Sequence, residues 1–346
     1  MKLILFFISN FLVFVQLITA QNATELSIPT KINLKSEFSK TLIELSDRII
    51  ANQIIDAHDE NYGAIECPQC NVLHTRAAES VYPLIISYQI TGDKKYLNAS
   101  IILADWLFNQ QEENGSWKET PEEWTGTTTD QILMLALTYP QIQKYLSSIK
   151  KEIWENSIHK GADYLYRIMT PEFASINYCA TTSATLATTY KIIPDSNYLI
   201  KAKDLAHRII SKMDQDLFIQ GEGGREHNNK YGVDLGYNLE MSLWGLGLYA
   251  ELTHDNFVKE KVMMSINNHL YFIYPDGMLD NSWGIRSNKW TIYGGATSDG
   301  SITSFMLYAD EYPSFAAAAY RNLLSIKKNI INGYLTYGNQ IGRAHV

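Results

Sequence analysis

Apolar residues recur at helical spacing through most of the chain, whereas the two-residue alternation of strands is scarce before Leu217. The pattern predicts amphipathic helices, Leu97 to Asn109 among them. Three segments share one shape. They begin at Tyr88 (Tyr-Gln-Ile-Thr-Gly-Asp-Lys-Lys-Tyr-Leu), Tyr190 (Tyr-Lys-Ile-Ile-Pro-Asp-Ser-Asn-Tyr-Leu) and Tyr249 (Tyr-Ala-Glu-Leu-Thr-His-Asp-Asn-Phe-Val), and each sets a second aromatic eight residues after the first. Each reads as helix, tight turn, helix, with Asp in the turn.

A helix pair of this kind cannot bury its apolar face alone, and stacking such pairs in a ring does so. Spacings of 102 and 59 residues between the three units leave room for further hairpins. The expected fold class is therefore all-α, an incomplete α/α toroid built of helical hairpins. An open helical solenoid is the competing arrangement of the same units.

The two ends read differently from the body. Met1-Lys2, an apolar run from Leu3 to Leu17 and Ile18-Thr19-Ala20 have the layout of a signal peptide, so residues 1–20 are expected to be removed and the protein to be secreted or periplasmic. No later apolar run approaches membrane length, so no membrane association is expected after that cleavage. Ile341-Gly342-Arg343-Ala344-His345-Val346 reads as the translation of a sequencing adapter, so 341–346 are expected to be a non-native tail. The toroid is then expected over 21–340, with room for a truncated C-terminal β domain beyond it.

Composition narrows the partners. A net charge of −8 argues against nucleic acid, and 22 Tyr with 7 Trp suit sugar binding, because a flat apolar face with a polar edge matches a pyranose ring. Three cysteines allow one disulfide. Cys67 and Cys70, in Cys-Pro-Gln-Cys, are the pair to suspect, and with His74 they make half of a structural zinc site that lacks a second half. No cofactor is otherwise expected, and nothing in the sequence sets the oligomeric state.

Candidate chemistry sits in loops too long to be connectors: 61–76, 114–129, 218–238 and 274–301. The densest runs Gln220-Gly221-Glu222-Gly223-Gly224-Arg225-Glu226-His227-Asn228-Asn229-Lys230-Tyr231-Gly232-Val233-Asp234-Leu235-Gly236-Tyr237-Asn238, with a helix expected to start near Asn238. Its glycines permit close approach to a ligand. β-Elimination from a uronate needs a group that neutralises the carboxylate, a base for the acidified C–H and an acid for the leaving oxygen. Asn or Arg, His and Tyr supply these, and a nearby cation such as Arg225 or Arg286 lowers a tyrosine pKa.

In motif order the chain resembles the toroid polysaccharide lyases, the broad group of chondroitin AC lyases, heparinase II/III-like and alginate lyase-like enzymes. That group places an inner-helix Asn before a His, a Tyr about ten residues further on, then a distant Arg. Here Asn177 precedes His227 by 50 residues, Tyr237 follows by 10, and Arg286 lies 49 beyond. The resemblance implies Asn177 for carboxylate neutralisation, His227 as base or orienting group, Tyr237 as base and acid, and Arg286 beside them. The family's Trp-rich stretch after the Asn is replaced here by Cys179-Ala180-Thr181-Thr182.

Two further patches are expected at the toroid mouth. His74 and Arg76 begin one helix, and Trp124 and Asp130 lead into another; with Glu222, Arg225, Tyr231 and Trp283 they form the expected substrate-binding set. Trp117 and Trp290 are further stacking candidates, with structural packing an equal alternative for each. The function these readings favour is cleavage of a uronate polysaccharide by β-elimination. A glycoside hydrolase using paired carboxylates from Asp130, Glu222, Asp234 and Glu240 is the first alternative. A non-catalytic glycan-binding protein is the second. Chondroitin, heparan-like chains, alginate, glucuronan and ulvan all satisfy the chemistry.

Overall fold

The computed structural model describes residues 33–67, 72–119, 123–221, 232–280 and 302–335. Its helices are α1 (Leu34–Ala51), α2 (Val81–Thr91), α3 (Lys94–Asn109), α4 (Thr128–Ile142), α5 (Ser148–Ile168), α6 (Ile176–Tyr190) and α7 (Ser196–Ile210), then the single turn α8 (Leu235–Tyr237), α9 (Leu243–Thr253), α10 (Asn256–His269), α11 (Ile302–Leu307) and α12 (Pro313–Lys328). A 3₁₀ turn, Thr75–Ser80, leads into α2, and a π-helical turn, Asn238–Ser242, joins α8 to α9. The two short strands, β1 (Ile330–Ile331) and β2 (Tyr334–Leu335), pair antiparallel.

All three repeated segments fold as predicted, and the Asp in each turn is the reason the second helix starts where it does. Asp93 accepts from Lys95 N at 2.9 Å, Asp195 from Asn197 N at 2.9 Å and Asp255 from Val258 N at 3.2 Å. Such a cap is worth roughly 1 kcal/mol. Gly92 at φ 73° closes α2, as a left-handed C-terminal residue does without steric cost.

The second aromatic of each unit binds its outer helix to the outer helix before it. Tyr96 of α3 donates to Asp47 of α1, and Tyr198 of α7 donates to Asp163 of α5, both at 2.6 Å. Phe257 of α10 has no hydroxyl and instead stacks on His207 of α7, ring centroids 5.5 Å apart. One sequence signal thus repeats one contact around the ring.

Inside that ring run α2, α4, α6, α9 and α11. Helix α6 is buried on nearly every side, because α4 and α9 flank it and α7 backs it. Hydroxyls cross-link the α4–α6 seam: Thr182 donates to Thr129 Oγ1 at 2.9 Å, and Thr185 Oγ1 lies 3.1 Å from Thr129 O. On the other side Gly245 lets α9 approach the α6 backbone, since a Cβ there would stand 2.9 Å from Ala180 O.

The last described segment returns to the first. Lys327 of α12 reaches Glu37 of α1 at 3.0 Å, the Arg48 guanidinium lies 4.0 Å from the Tyr334 ring centre, and Tyr334 donates to Asn52. The architecture is an α/α toroid, as expected, and its last described segment lies against its first, unlike an open solenoid. Among the described residues, no helix is long and apolar enough to cross a membrane.

Candidate active site

Because every hairpin reverses direction, the inner helices run the same way and present their N-terminal turns at one mouth. Four such turns carry the site: Thr75–Ser80 before α2, then the starts of α4, α6 and α8. The first two are locked together. Gln131 Nε2 donates to Thr75 Oγ1 at 2.9 Å, and Thr75 donates to Lys118 O at 3.0 Å.

Arg76 gathers three carboxylates. Its Nε lies 2.8 Å from Glu79, Nη1 3.5 Å from Glu119 and Nη2 3.4 Å from Asp130. Glu79 does most to hold the guanidinium charged, opposed by burial and reinforced by Asp130. Asp130 is only 6% exposed. Burial first and the Glu79 charge second push its carboxyl up to about 8, against the opposing pull of Arg76. One cation facing three carboxylates leaves Asp130 as the group that keeps its proton at neutral pH.

At the start of α6, Asn177 is 1% exposed. Its Oδ1 accepts from Ser175 Oγ at 2.5 Å, and its Nδ2 faces Met241 Sδ at 3.3 Å. The next residue, Tyr178, meets the Trp124 ring edge-on at 6.0 Å, and Trp124 in turn stacks on Phe173 at 5.1 Å. Burial raises the Tyr178 phenol most; Asp130, Glu119 and Tyr237 add to the rise and Arg76 opposes it. Tyr178 therefore stays protonated and lies within electrostatic reach of both the carboxylate cluster and Tyr237.

Tyr237 ends α8, whose first turn is capped by Asp234: Tyr237 N donates to Asp234 Oδ1 at 2.9 Å. The helix thus begins at Leu235, three residues before the expected Asn238, because the buried Asp234 supplies the cap. Asn238 instead lies inside the π-helical turn, and its carboxamide pairs with Ile219, N to O at 3.3 Å and O to N at 3.2 Å. Gly221 N donates to Gly232 O at 2.8 Å, so the two ends of the glycine-rich segment lie side by side.

Of the expected catalytic quartet, Asn177 and Tyr237 stand at this mouth, while His227 and Arg286 lie outside the described residues. Of the expected binding set, Arg76, Trp124 and Asp130 are at the mouth and His74 is the buried residue that precedes the 3₁₀ turn. Glu222, Arg225, Tyr231, Trp283, Trp290 and Cys70 lie outside the described residues, so the Cys67–Cys70–His74 zinc reading has no described geometry. Among the described residues, no group of three His, Cys, Asp or Glu is arranged to hold a metal ion.

Of the two roles open to Trp117, stacking on sugar or packing, it takes the second: it is fully buried, its Nε1 donates to Leu107 O of α3 at 2.8 Å and its backbone N donates to Thr128 Oγ1 of α4 at 3.0 Å. The site also contains residues not foreseen from sequence, Glu79, Glu119 and Tyr178. Glu79 stands three residues after Arg76 on one turn, a legible pairing; Glu119 lies 43 residues away and only the fold brings it in.

The fold defines the class, an α/α toroid. The solved structures it resembles include a sugar epimerase from a ruminal bacterium (TM-score 0.64, 11% identity, 86% of this chain and 87% of that one) and an unsaturated glucuronyl hydrolase specific for heparin (0.59, 15%, 88% and 86%). A polysaccharide lyase matches at TM-score 0.61 and 11% identity, over 88% of both chains. These share the fold.

Sequence goes further. Residues 42–345 match the Ulvan lyase N-terminal domain, and the chain belongs to that family. It is 33% identical over 316 residues to the broad-specificity ulvan lyase of Formosa agariphila, across 88% of this chain and 49% of that protein. The chain therefore spans about half the length of this curated relative. The resemblance to toroid polysaccharide lyases holds at the level of family.

Proposed function

We propose that this chain is the toroid portion of a secreted or periplasmic polysaccharide lyase that cleaves a uronate-containing, ulvan-type polysaccharide by β-elimination. The observation that carries the reading is that a member of the ulvan lyase N-terminal domain family brings Asn177 and Tyr237 to one mouth. Asn177 is suited to neutralise the substrate carboxylate through its amide N–H pair. Tyr237 then takes the proton from C5 as phenolate. The electron pair forms the C4–C5 double bond, the C4–O bond breaks, and a proton returns to the leaving oxygen.

In this reading Trp124 and Tyr178 offer an aromatic wall to a sugar ring, and Arg76 with His74 borders the subsite beside it. His227 and Arg286 keep the roles that the family resemblance implies for them, with Glu222, Arg225, Tyr231 and Trp283 as further contacts. The reading invokes no cofactor and no partner other than the acidic polysaccharide. The leader-like residues 1–20 and the extracellular nature of such a substrate support export.

One observation favours a second reading. Asp130 is a buried carboxyl held protonated near neutrality beside Glu79 and Glu119, which is the state a hydrolase acid requires. The two separate when the purified protein is incubated with ulvan, glucuronan and alginate and ultraviolet absorbance is followed. A rise on ulvan, from the unsaturated uronate that elimination creates, is the expected result. New reducing ends without absorbance would instead establish hydrolysis, and binding with neither signal a glycan-binding protein.

A further inference from the structure

Serine at a helix N-cap ordinarily turns its hydroxyl back to accept from an amide of the first turn. Ser175 occupies the N-cap of α6, with extended backbone at φ −63° and ψ 162°, and makes no such bond. Its hydroxyl points instead to the side chain two residues on and donates to Asn177 Oδ1 at 2.5 Å. The contrast within the chain is direct: Ser147, at the N-cap of α5, accepts from Lys150 N at 3.3 Å. At α6 the stabilisation of a cap is forgone for a bond to a side chain.

That bond has a definite consequence. With Oδ1 engaged, the Asn177 amide must point its N–H pair the other way, and there the acceptor is Met241 Sδ at 3.3 Å. A thioether is a weak acceptor. The opposite orientation would turn the amide oxygen toward the sulfur lone pairs and leave it without a donor. Met241 reaches this point from the π-helical turn that directly follows Tyr237, so one irregular turn links the phenol to the amide's resting partner. A π-helical turn of this kind is frequent at functional sites.

We propose that Ser175 is a positioning residue that fixes the orientation of the Asn177 carboxamide, holding its N–H pair on a weak acceptor from which a substrate carboxylate can take it. The inference rests on the reading of Asn177 as the carboxylate-neutralising group. It extends that reading by explaining how a 99% buried amide is held ready with one strong and one exchangeable partner. A charge-neutralising donor is useful only where its orientation is set before the substrate arrives.

Three variants and two readouts test it. Ser175→Ala should lower kcat about tenfold to a hundredfold with KM little changed, the scale on which a misplaced catalytic group costs rate. Its Tm should stay within a few degrees, and Ser175→Thr, which keeps the hydroxyl, should recover most of the loss. Independently of turnover, selective nitrogen-15 labelling of asparagine side chains should show the Asn177 carboxamide signal, identified by its absence in Asn177→Ala, shifted in Ser175→Ala and near its native position in Ser175→Thr.

Full activity and an unmoved amide signal in Ser175→Ala would overturn the inference while leaving the reading of Asn177 intact. A loss that tracks a large fall in Tm, without recovery in Ser175→Thr, would make Ser175 merely structural and overturn it equally. Undiminished turnover in Asn177→Ala would instead sink the underlying reading, and with it the catalytic purpose proposed for Ser175.

Discussion

Arg76 Nη2 lies 3.4 Å from Asp130 Oδ2, joining the 3₁₀ turn before α2 to the first turn of α4 across the mouth of the toroid. The contact is part of a crowded set, since Glu79 and Glu119 share the same guanidinium. Burial first, and the neighbouring Glu79 charge second, raise the Asp130 carboxyl to about 8. The folded protein then binds more protons at this group than the unfolded chain does between pH 4 and 8. Its contribution to stability is full below the unfolded pKa and is lost as pH rises through the folded one.

Asp130→Asn should remove that dependence. The melting temperature of the variant relative to the native protein should climb as pH is raised from about 4 to 8 and level off above it. A difference that is constant across this range, measured by scanning calorimetry, would show that Asp130 is ionised throughout.

His269 gives the opposite sign. It is fully buried against Phe218, donates through Nδ1 to Ser265 O at 2.8 Å, and burial lowers its pKa to about 4. The unfolded state binds the extra proton between about pH 6.5 and 4, so the stability this residue contributes is present above pH 6.5 and lost on acidification. His269→Phe should flatten the acid limb of the stability profile while costing about 1 kcal/mol at neutral pH for the lost hydrogen bond.

Gly245→Ala tests the inner-helix spacing. The new methyl would meet the Ala180 backbone carbonyl at 2.9 Å, and neither helix has a flexible side chain there to move aside. A destabilisation of roughly 1–3 kcal/mol is expected in urea unfolding, the usual range for overpacking. Because Ala180 lies about one turn from Asn177 on α6, activity should fall as well.

Tyr237→Phe removes the phenol proposed as base and acid but keeps the ring. Turnover should fall by about a hundredfold or more, the usual contribution of a positioned acid–base group. Affinity for intact polysaccharide, measured by calorimetric titration, should change little. Full turnover in this variant would exclude Tyr237 as the base.

Most of the fold was legible because its signals are local. The aromatic pair with an intervening Asp marks each hairpin, and the capping bonds of Asp93, Asp195 and Asp255 show why. The expected mouth positions of Arg76, Trp124 and Asp130 came from inner-helix starts, and those of Asn177 and Tyr237 from the motif order shared with toroid lyases. What escaped depends on tertiary approach: Glu119 joins Arg76 from 43 residues away, and Met241 reaches Asn177 from 64. The π-helical turn has no local signature, and the Gly-Ser-Trp setting of Trp117 fits an exposed loop as well as the buried position it takes, with its indole donating to Leu107 O.

Elimination and hydrolysis at this mouth differ in whether solvent oxygen enters the product, which water labelling reads. Digestion of ulvan in oxygen-18-enriched water, followed by mass spectrometry of the products under conditions that suppress exchange at the reducing end, should yield unsaturated oligosaccharides with no oxygen from solvent, because elimination forms a double bond and adds no water. Saturated products carrying one solvent oxygen per cleavage would contradict the account and move the chemistry to the carboxylates around Arg76.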